Sequence, residues 1–394
     1  MSVSPVPEEA EYVEETVPMD PLIELLHLRF AYNSDYSSPA ERNDAKGRIV
    51  AIVRKHSMAP YYELIKELVG SPLPASEVNE MIKANESKLE SLNRNLEDAE
   101  ANAGDSEIRE ALVAKVDFFA SIGDRDKCLE LSRACTEKTI ATGPKLDLIF
   151  QRIRLGLAFS DHELAAKSLQ EARDMMKHGD WERRNRLKVY EGLYCVFVRD
   201  FVKGSKLLLD ALTTFAATEL LTFDQFIFVT VVAALITLTR AELKKSVVDS
   251  PEVLSSHLPK VIALVSNIYN CHYGSLFDDL AEVCHDMRRN VFLVAHVNFF
   301  FREVRVLAFH QFLDSYSSVT LASMAQTFHI PVNVLDQMLY TLISNGRLSC
   351  RIDRVSGDVV TYRGNRVNFQ YHQIIKDGDV LLNKIQKLSR VVEM

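Results

Sequence analysis

The chain has 394 residues, 47% of them hydrophobic, with a formal net charge of −8 and six cysteines. Two or three domains with a substantial core fit that length, and the composition is that of a soluble globular protein. Cys128, Cys135, Cys195, Cys271, Cys284 and Cys350 form no CxxC pair and no regular framework, which excludes a disulfide scaffold and predicts reduced thiols in an intracellular protein.

The acidity is concentrated at the start. Residues 1–21 contain Glu8, Glu9, Glu11, Glu14, Glu15 and Asp20 without any Lys or Arg, so they carry −6 and leave −2 for the remainder. With Pro5, Pro7 and Pro18 and few apolar residues, positions 1–20 are expected to form a disordered acidic tail. They lack the basic start and apolar run of a signal peptide.

Residues 21–104 begin with three modest helices over 21–32, 39–57 and 60–69, with Pro39 and Pro60 in first turns and Gly70-Ser71-Pro72 closing the group. A long helix follows. Val78, Ile82, Asn85, Leu89, Leu92, Leu96 and Ala99 step alternately by four and three residues, which places one narrow apolar seam along it. That seam has two open readings, contact with another subunit or packing on the chain's own scaffold.

Over residues 105–300 the helices recur in pairs. FFASIGDRDKCLEL, LGLAFSDHELAAKSL and VFVRDFVKGSKLLLDAL each hold an apolar helix end, a tight turn and a second amphipathic helix, with Asp124, Asp161 and Asp200 at the turns. The aspartates are 37 and 39 residues apart, an interval that suits stacked repeats of the tetratricopeptide type. At those positions they are expected to cap the second helices. QFIFVTVVAALITLT at 225–239 is uncharged but too short for a membrane span, and Asp224 and Arg240 bracket it, so it reads as a buried central helix. An insertion at 246–256, a helix over 258–269 and a further turn and helix complete a less regular fourth unit. Cys271-His272 and Cys284-His285 lack the paired spacings of structural zinc sites, and no metal or cofactor is expected.

Residues 301–370 hold a winged helix, entered by an amphipathic connector at 298–316 whose Phe301, Val304, Leu307, Ala308 and Leu313 are expected to face inward. Leu321, Met324, Ala325 and Phe328 share one helical face, and His329-Ile330-Pro331 breaks the pattern. A second helix starts at Val332, places Val334, Leu335, Met338, Leu339, Leu342 and Ile343 toward the core, and ends at Asn345-Gly346. Leu348, Cys350 and Ile352 then alternate with Ser349, Arg351 and Asp353, and Ser356-Gly357-Asp358 turns the chain into a strand at Val359, Val360, Thr361 and Tyr362.

A winged helix invites a test for DNA binding. The second helix has Asp336 as its sole charge between residues 332 and 344, where a groove reader needs Arg, Lys, Asn or Gln beside phosphate-binding cations. The wing carries Arg347, Arg351, Arg354, Arg363 and Arg366, which leaves a nucleic-acid-binding module as a reading from another class. Protein contact is the better fit, through a sheet edge able to take a neighbour's strand. Residues 371–394 end the chain as a helix with Leu381, Ile385, Leu388 and Val392 again stepping by four, three and four, read as a docking element, with packing back on the wing as the alternative.

The fold class is therefore mostly α: TPR-like repeats running into a winged helix with a small hairpin and a terminal helix. This arrangement resembles the PCI family, shared by the proteasome lid, the signalosome and translation initiation factor three. ELLTFDQFIF, HYGSLFDDLAE, SYSSVTLASMAQTF, NGRLSCRIDRV and KDGDVLLNKIQKLSRVVEM occur in order and are similar to the proteasome-lid members of that family. The resemblance implies a non-catalytic scaffold subunit supporting ubiquitin-dependent protein degradation, in the cytoplasm and nucleus. It also implies that the second half of 105–300 belongs to the PCI domain. Its expected partners are other PCI-family lid subunits and the lid deubiquitinase module, with the proteasome base and core particle reached indirectly. The implied contacts are the strands containing Leu348, Cys350, Arg351, Ile352, Val359, Val360 and Tyr362, and the seam Leu381, Ile385, Leu388 and Val392. A signalosome subunit of the same fold is the near alternative. No Walker loop, dinucleotide glycine fingerprint, HExxH or HxH metalloprotease arrangement occurs, and His178, Asp180 and Trp181 read as a helix break, not as catalytic residues.

Overall fold

The computed structural model describes residues 19–69, 73–102, 104–139, 141–176, 180–361 and 366–392. The readings of residues 1–18 as a disordered tail, of Gly70-Ser71-Pro72 and His178-Gly179 as breaks, and of Tyr362 as a strand residue fall outside them. Two compact units are present, one built from residues up to 262 together with 283–297, the other from 263–282 together with 298 onward.

In the first unit, α1 (Pro21–Asn33), α2 (Pro39–Lys55) and α3 (Ala59–Val69) precede a 28-residue helix, α4 (Ala75–Asn102). Ser38 and Glu41 form a reciprocal capping box at the start of α2, beside Pro39 in its first turn. Asp20, placed by sequence in the acidic tail, is instead the N-cap of α1 and accepts from the Leu22 amide at 3.0 Å. Its other carboxylate oxygen takes Arg154 Nε at 2.7 Å. Arg154 also donates to the Tyr190 hydroxyl at 3.0 Å, and that hydroxyl donates to Glu219 at 2.9 Å. A chain of charge-assisted bonds, part-buried at Asp20 and Arg154 and buried at Tyr190 and Glu219, thus fastens the start of α1 to the repeats, where an unpaired charge would be costly.

The repeats follow as helical hairpins: α5 (Asp105–Ile122) with α6 (Arg125–Lys138), α7 (Thr142–Ala158) with α8 (His162–Met175), and α9 (Trp181–Phe197) with α10 (Phe201–Asp210). All three turns have the same construction. Gly123, Ser160 and Arg199 sit at φ +76°, +59° and +73°, and the next residue's amide reaches back to Phe119, Gly156 or Cys195 at 3.1, 2.7 and 2.8 Å. This is the left-handed exit that satisfies terminal helix carbonyls. Asp124, Asp161 and Asp200 then cap the second helices, accepting from the amides of Lys127, Leu164 and Lys203 at 3.3, 3.1 and 3.2 Å. Glycine is needed at the first turn for space as well as dihedral, because a Cβ on Gly123 would lie 2.7 Å from Tyr61 Cβ.

The uncharged run forms α11 (Phe223–Thr237), buried without interruption from Phe226 to Leu235. A continuously apolar helix of this length belongs in a core. The short helices α12 (Arg240–Leu243) and α13 (Pro251–Leu254) flank a π-helical stretch at Lys244–Val248; the insertion expected at 246–256 takes in the end of that stretch and α13, and α12 precedes it. Among the described residues, no helix is long and apolar enough to cross a membrane.

Next come α14 (Pro259–Asn270), α15 (Leu276–Arg288) and α16 (Val297–Leu313). In the second unit, Tyr273 and Phe277 pack with Phe309, Phe312 and Phe328; the Tyr273 and Phe328 centroids are 4.8 Å apart, and those of Phe309 and Phe328 5.0 Å. These aromatic contacts draw residues 263–282 into the winged-helix unit, so the compact division does not follow the boundary read at residue 300. They also correct the inward face of α16. Phe300, Phe309 and Phe312 are buried, whereas Phe301 and Leu307 are only partly so.

The winged helix comprises β1 (Ser318–Thr320), α17 (Leu321–Thr327), α18 (Val332–Ser344), β2 (Cys350–Asp353) and β3 (Asp358–Thr361). Thr320 caps α17 through the Ser323 amide at 3.2 Å. His329 at φ +52° and Gly346 at φ +66° terminate the two helices. The sheet has three strands in the order β1-β3-β2, both pairings antiparallel. β1 was not read in the sequence, and its presence makes β3 the central strand. The chain is described to the end of α19 (Arg366–Val392), which starts before residue 371, where sequence placed the terminal helix.

Candidate functional site

The sheet offers one open side of β2 and one of β1. β2 pairs with β3 in the register Cys350↔Thr361, Arg351↔Val360, Ile352↔Val359 and Asp353↔Asp358. On the opposite side of β3, the Thr361 amide donates to Ser317 O at 3.0 Å. Peptide groups alternate sides along a strand, so the backbone of Val360 points toward β2 and pairs with Arg351. The N–H and C=O groups of Cys350 and Ile352 therefore point to the open side of β2.

This placement revises the expected edge. Val359 and Val360 lie in the central strand and present no free backbone. Leu348 precedes β2, and its side chain is buried with those of Cys350 and Val359 on the core face. Arg351 and Val360 are exposed on the opposite face. The outward groups of the edge are therefore the Arg351 side chain and the Cys350 and Ile352 backbones. Tyr362 lies outside the described residues.

Beside the sheet, α18 buries Leu335, Leu339 and Leu342, a spacing of four and three. Val334, expected in the core, is exposed because it lies about 100° around the helix from that stripe. Val332 and Tyr340 are also exposed, so the face a DNA reader would use is partly apolar. Asp336 accepts from Arg354 at 3.1 Å, and Arg347 donates to Glu303 on α16, so two of the wing-region cations are engaged by carboxylates. In the wing turn, the Val355 amide at 2.9 Å and the Ser356 contacts hold the Asp353 carboxyl below its usual range.

The terminal helix is exposed at every residue whose side chain is described. Leu381, Ile385, Leu388 and Val392 are 61, 55, 64 and 77% accessible. The same four-and-three stepping runs back through Gly378, Ile374 and Tyr371 to Val367, so the seam covers the whole helix; continuing the period toward the N-terminus would have revealed this in the sequence. Burying such side chains is worth about 1.5–3 kcal/mol each, so a seam of this length would gain substantially from being covered.

The earlier seam on α4 behaves differently. Val78, Leu89 and Leu96 pack against the core of the first unit, Leu92 is partly buried and Ile82 remains exposed. Most of that seam is internal. Among the described residues, no group of three or more His, Cys, Asp or Glu side chains is placed to hold a metal ion. Burial pushes the Cys284 thiol up to about 11, which suits a packing residue better than a nucleophile.

Three family descriptions match the chain in order: "26S proteasome subunit RPN7" over residues 75–246, "PCI domain" over 280–363, and "26S proteasome regulatory subunit RPN7/PSMD6 C-terminal helix" over 370–392. The chain is 40% identical to a 26S proteasome non-ATPase regulatory subunit 6 homolog of Arabidopsis thaliana over 357 residues, covering 90% of this chain and 92% of that protein. It is 37% identical to the rice 26S proteasome non-ATPase regulatory subunit 6, covering 97% and 99%. With the 26S proteasome regulatory subunit RPN7 of Saccharomyces cerevisiae it shares 35% identity, covering 98% and 97%. Similarity to COP9 signalosome complex subunit 1 of Arabidopsis thaliana is 26% over 148 residues, 37% of this chain and 34% of that protein.

Proposed function

We propose, because the chain belongs to the 26S proteasome regulatory subunit RPN7/PSMD6 family, that it acts as a non-catalytic scaffold subunit of the regulatory-particle lid. It supports ubiquitin-dependent degradation by joining other lid subunits, and it does no chemistry of its own. The observation that carries this reading is the terminal helix, whose apolar seam is exposed from Val367 to Val392 and coincides with the family's named C-terminal helix. Such a seam gains its stabilisation on meeting partner helices. The open side of β2 supplies a second contact, through strand addition by a neighbouring PCI subunit. The deubiquitinase module is held within the same assembly, and the base and core particle are reached through it, in both cytoplasm and nucleus.

The relatives' description as non-ATPase subunits, and the lack of phosphate-loop and metalloprotease motifs in the sequence, support a role without catalysis. Near full-length similarity to the proteasome subunits, against partial similarity to the signalosome subunit, favours the lid. Size fractionation of cell extract tests the reading. The protein is expected to co-migrate with proteasomal peptidase activity; co-migration with the deneddylating complex instead would reject it.

A further inference from the structure

The exposed residue of the α4 seam borders an opening on the first unit. A groove of about 310 Å³ lies among α3, α4 and α5, lined by Pro60, Ile82, Phe118, Phe119 and Ile122. Ile82 is 41% accessible although Val78 and Leu89 on the same seam are packed against the core. Leu64 on α3 is 63% accessible. The volume is at the lower end for a small-molecule pocket, and suits one or two large side chains.

We propose that this groove receives an apolar anchor residue from a short basic segment of a partner protein. The charge around it selects that partner. Glu86 lines the groove and is exposed, Glu63 beside it is paired with Lys66 on its own helix, and α4 as a whole carries seven carboxylates against three cations. Lys127 also lines it, but its ammonium lies 3.0 Å from Asp124 and 5.7 Å from the centre of the Phe119 ring, so its charge is answered locally. A segment with Lys or Arg beside a Leu or Phe is attracted to this opening, whereas an acidic one is repelled. A symmetric contact with a second copy would set these carboxylates against themselves.

The test uses the full-length chain and a fluorescein-labelled peptide with a Leu-Phe pair flanked by lysines, followed by anisotropy. Two control peptides replace Leu-Phe by Ser-Ser or the lysines by glutamates. Saturable binding at least about tenfold tighter than to either control is expected, weakening as salt is raised. Ile82→Arg, at an exposed position, is expected to lose at least about tenfold in affinity with its melting temperature unchanged. Glu86→Lys, at an exposed site, is expected to weaken binding and flatten its salt dependence. Absence of saturable binding, equal binding of the acidic peptide, or full binding by both variants would overturn the proposal. Self-association abolished by Ile82→Arg would assign the groove to a second copy and overturn it equally.

Discussion

Arg354 of the wing donates a hydrogen bond to Asp336 of α18 at 3.1 Å, joining the one charge of that helix to a cation of the hairpin. In the sequence these residues argue in opposite directions, one against nucleic acid and the other for it. In the fold they answer each other. Arg354 is 76% accessible and Asp336 27%, so the pair has the weak coupling of a solvated contact.

A double-mutant cycle on Arg354→Ala and Asp336→Ala, read by urea denaturation, is expected to give a coupling of about 0.5 kcal/mol. A value of several kcal/mol would contradict a solvated pair. Replacing Arg351 and Arg354 together with alanine is expected to leave any retention of duplex DNA or RNA unchanged across salt concentrations. A salt-dependent interaction lost in that variant would return the wing to nucleic-acid recognition.

The terminal seam makes no contribution to the isolated fold, since its side chains are already in water. Leu381, Ile385 and Leu388 changed together to Asp are therefore expected to leave circular dichroism and melting temperature of the isolated chain near wild type. Incorporation into the large assembly is expected to be abolished, because burying an unpaired carboxylate costs several kcal/mol in order of magnitude. Normal incorporation, measured by co-purification with the peptidase, would remove the helix from the docking account.

Proline separates the two sides of β2. Arg351→Pro deletes a donor facing β3 and is expected to destabilise the hairpin itself. Ile352→Pro deletes a donor facing the open side, so it is expected to spare the ladder bonds and impair strand addition by a neighbour. Comparing unfolding midpoints with assembly yields distinguishes them; equal destabilisation by both would mean that the inferred alternation is reversed or lost.

His27 gives the first unit a defined acid sensitivity. Burial pushes its imidazole down to about 4, with Glu24 opposing the shift, and its ring lies edge-on to Phe292 at 5.8 Å. In the unfolded chain the same group protonates near its ordinary value of 6.5. Its stabilising contribution is thus complete above about pH 6.5 and is lost as pH falls toward 4, costing about 2 kcal/mol by pH 5. His27→Phe is expected to lose less stability than wild type between pH 7 and pH 5 in chemical denaturation. An identical loss in both proteins would place the acid sensitivity elsewhere.

Local chemistry made much of the architecture readable. Asp124, Asp161 and Asp200 announced three helix starts because a cap needs only its own next turn, and Asn345-Gly346 announced a helix end for the same reason. The seam on α19 was visible because helical period depends on sequence spacing alone. The three residues of β1 have no such signal: Ser318 to Thr320 become a strand by pairing with Asp358 to Val360, some forty positions away. That pairing decided which strand is central and which backbone remains open. Two similar seams also had opposite fates, since α4 meets α5 and the core of its own unit while α19 is left exposed. Periodicity determined that each helix has an apolar stripe; only the tertiary structure decided which stripe was already covered, because coverage depends on surfaces brought together from distant parts of the chain.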